Sequence, residues 1–323
     1  MLVLGLQGSP RKKGNTRHML SLFLDQAEKR GFETKTIDAL KINCNSCIGC
    51  GNCERTGFCI FKDAMAEEVF PLFRKSDIIV MSTPVYFYAV SSQIKSMIDR
   101  TQTLWSRLYM FHLKDPGNRF RKGVLLSAGA TKGKNLFDGI RLTAKYFFDA
   151  AGADFSDELC YKMLDQPGKI KEVQTLGQDM TDLCTRVFSP FENRKKILFA
   201  CRENAGRSQM AAAFARSSAG DRFDVISGGS KPMEKINETA MEAMAEKGID
   251  IAFNKPCSIE DAIGNNPPDI IVTMGCKGEC PFIPGCKKID WDLPDPAGQP
   301  LSTVRQIRDA IEKKVTELVE KDF

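Results

Sequence analysis

Short apolar runs alternate with amphipathic stretches along the first part of the chain. The runs typical of buried strands are Leu2–Leu6, Glu33–Ile37, Asp77–Met81, Val124–Ser127 and, more weakly, Phe155–Cys160. Helical patterns lie between them at about residues 16–30, 65–74, 91–103, 136–151 and 171–188. Short strands that alternate with helices in this way predict a parallel sheet covered by helices on both faces.

The alternation starts again after an interruption at Ser189–Arg194. The second set of strand-like runs is Ile197–Ala200, Phe223–Ile226, Ile270–Thr273 and Lys287–Ile289, with helical patterns near residues 208–218, 237–247 and 303–321. We therefore predict an α/β protein with two doubly wound parallel-sheet domains, residues 1–188 and 195–323. In such folds, binding sites lie at the carboxyl ends of the strands.

Composition narrows the function classes. The chain has 323 residues, of which 42% are hydrophobic and 27% charged, as in ordinary globular proteins. The net charge of +5 is spread out, so we expect no nucleic-acid partner. No apolar run approaches the ~18 residues of a membrane span, and no signal peptide is evident, which predicts a cytoplasmic protein. In a reducing compartment, the twelve cysteines are expected to be catalytic, redox-active or metal-binding.

The most informative segment is Cys201–Ser208, which lies between a predicted strand and an alanine-rich helix. Backbone N–H groups and the positive end of the helix dipole would stabilise a Cys201 thiolate there. Arg207 can hold two oxygens of a tetrahedral oxyanion. The segment predicts nucleophilic attack on phosphate or a similar anion, and we assign Asn204 and Ser208 to the same site. The alternative is a small buried cysteine beside a solvated arginine.

Two further elements accompany this loop in the second half of the chain. Cys276 and Cys280 follow the predicted strand 270–273, where a loop could reach Cys201. Asp295, in an Asp-Pro turn, can serve as general acid to a leaving oxygen, and we prefer it to Asp292 for that role. Two other cysteines in this half, Cys257 and Cys286, are expected to have no chemical role.

Together these motifs resemble the arsenate reductases of the low-molecular-weight tyrosine phosphatase fold. The resemblance implies that Cys201 attacks arsenate while Asp295 assists loss of oxygen. It further implies that Cys276 then attacks Cys201 and releases arsenite, after which Cys280 attacks Cys276 to leave a Cys276–Cys280 disulfide. A protein tyrosine phosphatase is the alternative, since it needs only Cys201, Arg207 and Asp295. The two additional thiols favour arsenate, because reduction consumes two electrons that hydrolysis does not require.

In the first half, Gly8–Thr16 connects the first strand to a helix and predicts a phosphate cradle. The loops Ser82–Tyr88 and Ser127–Ala130 end two further strands at the same edge of the sheet. This combination resembles the flavodoxin-like NADPH-dependent FMN reductases. The resemblance implies FMN with NAD(P)H as electron donor, and a homodimer or homotetramer. It places the FMN phosphate at Ser9, Arg11, Asn15 and Thr16, and the flavin ring along Pro84, Val85, Tyr86 and Phe87, with Gly129 and Ala130 opposite.

Four cysteines in the first half, Cys47, Cys50, Cys53 and Cys59, have the spacing Cys-x2-Cys-x2-Cys-x5-Cys. This spacing resembles the cluster motif of iron–sulfur flavoproteins, and four thiolates so close in sequence can hold a [4Fe–4S] cluster. Zinc and free or redox-active thiols are the alternatives.

The sequence thus predicts a bifunctional enzyme that couples NAD(P)H:FMN reduction to arsenate reduction, with thioredoxin or a similar reductant as a possible partner. Two rivals remain. One is a phosphatase with a flavin-based redox switch, and the other is an arsenic-binding sensor that titrates arsenite without turnover.

Overall fold

Two parallel sheets divide the chain between them. The computed structural model describes residues 1–275 and 283–321. One compact unit comprises Met1–His112 and Phe120–Glu192, and the other comprises Leu113–Arg119 and Asn193–Phe323. The division into two independently folding domains, residues 1–188 and 195–323, stays a prediction.

The sheet of the first unit has five parallel strands. They are β1 Leu2–Gln7, β2 Glu33–Asp38, β3 Ile78–Pro84, β4 Lys122–Ala128 and β5 Asp154–Tyr161. Their order across the sheet is β2-β1-β3-β4-β5, with every neighbouring pair parallel. The direction of winding reverses between β1 and β3, which defines a doubly wound sheet of the flavodoxin type. The predicted fold class is therefore confirmed for this half.

The helices of the first unit are α1 Asn15–Lys29, α2 Asn52–Thr56, α3 Phe70–Lys75, α4 Ser92–Arg100, α5 Gln102–Tyr109, α6 Asp138–Ala150 and α7 Leu176–Phe188. Helices α1 and α7 share one core cluster, and Phe73 of α3 contacts Phe147 of α6 edge-on at 5.8 Å between ring centroids. The single helix expected over residues 91–103 is interrupted at Thr101, whose hydroxyl donates to the carbonyl of Ile98 at 2.6 Å.

The second unit has a four-stranded parallel sheet. Its strands are β6 Lys195–Cys201, β7 Phe223–Gly229, β8 Ile270–Met274 and β9 Lys287–Asp290, in the order β7-β6-β8-β9. Its helices are α8 Arg207–Ala219, α9 Glu238–Ala245, α10 Ile259–Ile263 and α11 Leu301–Val319. Helix α8 contributes buried alanines, among them Ala211, Ala213 and Ala215, to the main core of the unit. Small side chains let α8 lie close to its neighbours, so the start of the helix is rigidly placed.

One segment departs from the sequence-based expectation. Residues 113–119 belong to the second unit, where the backbone N–H of Lys114 donates to Gly248 and the Lys114 carbonyl accepts from Asp250, both at 2.8 Å. A main-chain pairing of this kind leaves no signal in the local pattern of apolar residues. Among residues 1–275 and 283–321, no helix is both long and apolar enough to cross a membrane.

Candidate functional site

The Cys201 loop joins the end of β6 to the start of α8. Cys201 is buried, and its sulfur accepts a hydrogen bond from the backbone N–H of Asn204 at 3.3 Å. The hydroxyl oxygen of Ser208 lies 3.0 Å from the same sulfur. The loop passes close to β7, because a Cβ added to Gly229 would lie 2.7 Å from the carbonyl oxygen of Arg202. Cys201, the predicted nucleophile, is thus held by a strand, a helix and a tight backbone contact.

Asn204 is the centre of the hydrogen bonds in this loop. Its side chain is fully buried, and its backbone is left-handed with a φ of 50°. Its Oδ1 accepts from the backbone N–H of Cys257 at 2.9 Å and from Nε2 of Gln209 at 3.1 Å. Because a backbone N–H can only donate, this contact fixes the orientation of the amide, whose Nδ2 donates to Ser208 at 2.9 Å. The Ser208 oxygen accepts from Asn204, which leaves its hydroxyl hydrogen available to donate to the Cys201 sulfur.

Arg207 and Asp295 meet at the mouth of the site. Nη2 of Arg207 lies 3.0 Å from Oδ2 of Asp295, and Nη1 donates to the carbonyl of Leu293 at 3.2 Å. A Cβ added to Gly275, whose φ is 72°, would lie 2.6 Å from Nη1. Gly275 therefore leaves room for the guanidinium, and its backbone conformation is one that other residues adopt only with strain.

One small cavity brings together three of the predicted site residues, Cys201, Arg207 and Asp295. Asn237, which sequence reasoning missed, also lines it, and its backbone N–H donates to Ala205 of the loop at 3.0 Å. Other residues that the sequence analysis overlooked act on Asn204: Gln209 and the main chain of Cys257, a residue for which we expected no role. Gln209 adjoins Ser208 in sequence and could have been considered, whereas a backbone donor carries no residue signature. Cys276 and Cys280 lie outside the described residues.

The phosphate-cradle residues of the first unit lie in the loop after β1 and at the start of α1. Ser9, Asn15 and Thr16 are buried, and Arg11 is exposed, with its backbone N–H 3.3 Å from the Ser9 hydroxyl. Among the described residues, the buried Thr16 hydroxyl finds no hydrogen-bond partner. An orphaned hydroxyl at a helix N-terminus fits a phosphate oxygen.

Asn15 has a different set of contacts from the one expected. Its Nδ2 donates to the carbonyl of Gln166 at 2.9 Å, and its Oδ1 accepts from the backbone N–H of Ile170 at 3.2 Å. The side chain thus ties the start of α1 to the segment after β5. Its role as an FMN phosphate ligand stays a prediction.

The expected flavin-ring residues follow β3 and β4, whose carboxyl ends lie side by side. Pro84 ends β3, and Val85 donates through its backbone to Ala128 at 3.2 Å. Tyr86 forms a tight turn with Ala89 through two backbone hydrogen bonds, with Phe87 and Tyr88 at positive φ. The Phe87 side chain is fully exposed.

Gly129 and Ala130 directly follow β4. A Cβ added to Gly129 would lie 2.6 Å from Leu136, so only glycine fits there without rearrangement. Because β1, β3 and β4 are adjacent in a parallel sheet, the three loops lie at one edge, at the reversal of strand order where this fold binds ligands. The arrangement fits a phosphate with an attached ring system.

The four clustered cysteines line a second cavity. Cys47 and Cys50 are exposed, Cys53 and Cys59 are half-buried, and all four border the same space together with Arg100. Within the described residues, no three His, Cys, Asp or Glu side chains converge as the ligands of a metal ion. The donor set is that of an iron–sulfur cluster or zinc, whereas the sulfur positions are not those of a formed centre.

Comparison with known proteins separates the two halves. The model of the NADPH-dependent FMN reductase family matches residues 1–136, and that of the low molecular weight phosphotyrosine protein phosphatase family matches residues 196–322. A putative arsenate reductase of Halobacterium salinarum is 36% identical over 133 residues, which are 39% of this chain and 92% of the relative. An iron-sulfur flavoprotein of Archaeoglobus fulgidus is 39% identical over 100 residues, which are 31% of this chain and 45% of the relative.

A solved arsenate reductase structure, also from Archaeoglobus fulgidus, is 31% identical and covers 39% of this chain and 99% of its own, with a TM-score of 0.35. By the sequence comparisons, the C-terminal half of the chain belongs to the arsenate reductases of the low molecular weight phosphotyrosine protein phosphatase family, and the N-terminal half is similar to the NADPH-dependent FMN reductases and the iron–sulfur flavoproteins.

Proposed function

We propose that the C-terminal half reduces arsenate to arsenite with Cys201 as the nucleophile. The observation that carries this proposal is the single cavity lined by Cys201, Arg207 and Asp295. Arg207 would hold two arsenate oxygens, exchanging its contact with Asp295 for the anion. Asp295, released from that contact, would protonate the departing oxygen.

The reaction balances with two further thiols. Cys201 displaces water from protonated arsenate and forms a sulfur–arsenic bond. The Cys276 thiol then attacks the Cys201 sulfur, a sulfur–sulfur bond forms, and the electron pair of the broken bond leaves with arsenic as arsenite. Cys280 attacks the Cys276 sulfur, which frees the Cys201 thiolate and leaves a Cys276–Cys280 disulfide. Two thiols are oxidised for each As(V) reduced to As(III).

The lining of the cavity supports arsenate over phosphotyrosine. Among the described residues that border it, none is aromatic, and Ala297 follows the Asp295–Pro296 turn. A phosphotyrosine ring would need an apolar wall beside the phosphate, whereas arsenate needs only the oxyanion contacts. The small cavity therefore favours a small inorganic anion.

For the N-terminal half we propose an FMN reductase. FMN bound in this half would supply two-electron chemistry with NAD(P)H as the hydride donor. Thr16 and Ser9 would hold its phosphate, and the turn at Phe87 would cover its ring. Cys47, Cys50, Cys53 and Cys59 would hold a [4Fe–4S] cluster. The electrons would reduce the Cys276–Cys280 disulfide directly or through thioredoxin.

A homodimer or homotetramer is also proposed. Helices α5 and α6 expose Trp105, Tyr109, Leu142 and Tyr146, and exposed apolar patches of this kind are typical of association surfaces. Light scattering of the full chain and of Tyr146→Glu tests this, with the variant expected to shift toward monomer.

The activity is tested by NAD(P)H oxidation with FMN-loaded protein and arsenate. We expect multiple turnover for the wild type and none for Cys201→Ser or Cys276→Ser. Hydrolysis of an aryl phosphate that survives Cys276→Ser would identify a phosphatase, and binding of arsenite without turnover would identify a sensor. If turnover requires added thioredoxin, direct electron transfer to the disulfide is excluded.

A further inference from the structure

The segment that carries the four clustered cysteines is closed at its two ends. We define the cysteine segment as residues 45–63. At its start, the backbone N–H of Asn45 donates to Oδ2 of Asp63 at 2.9 Å, and Nδ2 of Asn45 lies 3.2 Å from the same oxygen. Cys47, Cys50, Cys53 and Cys59 all lie between these two residues. The carboxylate at one end therefore binds the backbone at the other.

Arg100, the last residue of α4, holds both ends at once. Its Nη1 donates to the carbonyl of Asn45 at 2.8 Å and to Oδ2 of Asp63 at 2.7 Å, while Nη2 donates to Oδ1 of Asp63 at 3.0 Å. The Arg100 side chain is completely buried, and its guanidinium carbon lies 5.0 Å from the centre of the Phe61 ring. A bidentate guanidinium–carboxylate pair fixes the relative orientation of the two side chains as well as the distance between them.

A second arginine holds the middle of the segment. Nη1 of Arg107, from α5, donates to the carbonyl of Gly57 at 3.3 Å, and its guanidinium carbon lies 4.9 Å from the centre of the Phe58 ring. Gly57 is in the left-handed conformation, and a Cβ there would lie 2.7 Å from Nη1. The backbone of the segment is thus fixed from two helices.

We propose that Asn45, Asp63 and Arg100 form a clasp that closes the cysteine segment before any metal is bound. This inference rests on the proposed function only in that the four thiols are taken to hold a metal centre. Closing a loop costs chain entropy, and in an open segment this entropy loss would reduce the free energy of metal binding. With the clasp, the loop is already closed when the protein folds, so metal binding does not include this entropy loss. The four thiols would then bind a metal from a segment whose two ends are already joined.

Arg100 also borders the same cavity as the four cysteines. Its charge is balanced by Asp63 through two hydrogen bonds. A substitution at Asp63 therefore opens the clasp, whereas one at the neighbouring Asp99 does not. Asp99 also lines the cavity, is largely exposed, and pairs with Lys95 at 2.6 Å. Asp99→Asn is therefore a matched control for loss of one carboxylate beside the cysteines.

The test is a titration of the reduced full chain with Co²⁺, read from the ligand-field absorption of a thiolate-bound ion. A Cys276→Ser background removes the other closely spaced pair of thiols. We expect Asp63→Asn to weaken Co²⁺ binding about tenfold or more, because Co²⁺ binding would then have to close the loop itself and lose the chain entropy. Asp99→Asn is expected to bind as the wild type does. Asn45→Ala, which removes only the part-buried side-chain contact to Asp63, should weaken binding in the same direction by less.

Closure itself is measured without metal, by the initial rate of trypsin cleavage after Arg55, an exposed residue within the segment. We expect faster cleavage in Asp63→Asn and in Asn45→Ala than in Asp99→Asn, with circular dichroism confirming that each variant is folded. Equal Co²⁺ affinity in Asp63→Asn and the wild type would overturn the clasp. If Asp63→Asn and Asn45→Ala are cleaved faster than Asp99→Asn but the wild type binds no Co²⁺, the clasp is supported and the proposed metal centre is refuted.

Discussion

The two cysteine sites of this chain are built in opposite ways. In the Cys201 loop, the hydrogen bonds converge on one buried sulfur, from the Asn204 backbone and the Ser208 hydroxyl. In the cysteine segment, Arg100 and Arg107 contact backbone carbonyls and Asp63 instead. The four cysteines there are exposed or half-buried and line a cavity.

The difference matches the function proposed for each site. A nucleophile must be held at the position and protonation state from which it attacks, so its own atom needs donors. Ligands of a multinuclear centre must move into the geometry that the metal imposes, so the frame is fixed and the sulfurs stay adjustable. The predictions below test this contrast, beginning with the largest effect.

Two cysteines outside both sites, the buried Cys184 and the half-buried Cys160, provide the baseline. Burial raises the pKa of Cys184 to about 12, and burial together with the nearby Glu158 raises the pKa of Cys160 to about 12. At pH 8, the thiolate fraction of each would be roughly a thousandth of that of an ordinary free thiol. We expect iodoacetamide to label both about a thousandfold more slowly than Cys47 or Cys50, as measured by mass spectrometry of tryptic peptides.

Guanidine-unfolded protein is the control for this labelling, since all cysteines should then react alike. Labelling of Cys184 in the folded protein at the rate of Cys47 would show that the core around α7 opens readily. The thousandfold contrast would then be lost.

The clasp of the cysteine segment should depend on pH through Asp63. Burial raises the pKa of Asp63, but the hydrogen bonds from Arg100 and Asn45 outweigh burial and hold the pKa well below its usual range. A carboxyl with a lowered folded pKa stabilises the fold above its unfolded pKa of ~3.9, and this contribution is lost as the pH falls toward the folded value. Asp63→Asn should lower the free energy of unfolding by about 3 kcal/mol at neutral pH.

The measurement is urea unfolding followed by Trp105 fluorescence in a Trp291→Phe background, from pH 7 into acid. The curves of the wild type and Asp63→Asn should converge as the pH drops below about 4. If the difference in the free energy of unfolding between the two proteins stays constant into acid, the ionised Asp63 carboxylate does not stabilise the fold through Arg100. Asp99→Asn again serves as the matched control.

At the Cys201 site, Arg207→Lys tests whether two-pronged anion binding is needed. Lysine keeps the charge but offers a single point of contact, so we expect kcat/KM for arsenate to fall about a hundredfold, which corresponds to ~2.7 kcal/mol. Arg202→Lys, in the same loop, is the control and should change kcat/KM little. If Arg207→Lys and Arg202→Lys behave alike, charge alone binds the anion.

The regular frame of both halves could be predicted from sequence, but several side-chain roles could not. Apolar runs marked β1, β3 and β6 because buried parallel strands are almost continuously hydrophobic. The role of the Asn15 amide as a phosphate ligand stays a prediction, and nothing in the sequence indicated that Asn15 also contacts Gln166 and Ile170, 151 and 155 residues away. A polar residue in a loop indicates a hydrogen bond without indicating its partner.

The clasp was hidden for the same reason. Arg100 is 37 residues from Asp63 and 55 from Asn45, and nothing in the local pattern around α4 indicates that its last residue is buried. Cysteine spacing identified the candidate ligands. What keeps them together depends on tertiary contacts of Arg100 with residues far away in sequence, which form only on folding.

Asn204→Gly should produce the smallest effect and the most specific one. Glycine adopts the left-handed backbone freely and keeps the N–H that faces the Cys201 sulfur, so only the side chain is lost. The Cys257 N–H and the Gln209 amide would lose their acceptor, at a cost of about 1–3 kcal/mol in stability. Since Ser208 would lose the donor that orients it, we expect kcat to fall about tenfold.

A double-mutant cycle with Ser208→Ala shows whether Asn204 acts through Ser208. If it does, the double variant should be no slower than Ser208→Ala alone, because the oriented hydroxyl is already gone. Independent contributions would instead multiply, and the relay from Cys257 through Asn204 and Ser208 to the sulfur would be refuted. The same cycle applied to Asn45 and Asp63 should leave kcat unchanged if thioredoxin reduces the Cys276–Cys280 disulfide, since Asn45 and Asp63 hold the cysteine segment and touch no reacting atom.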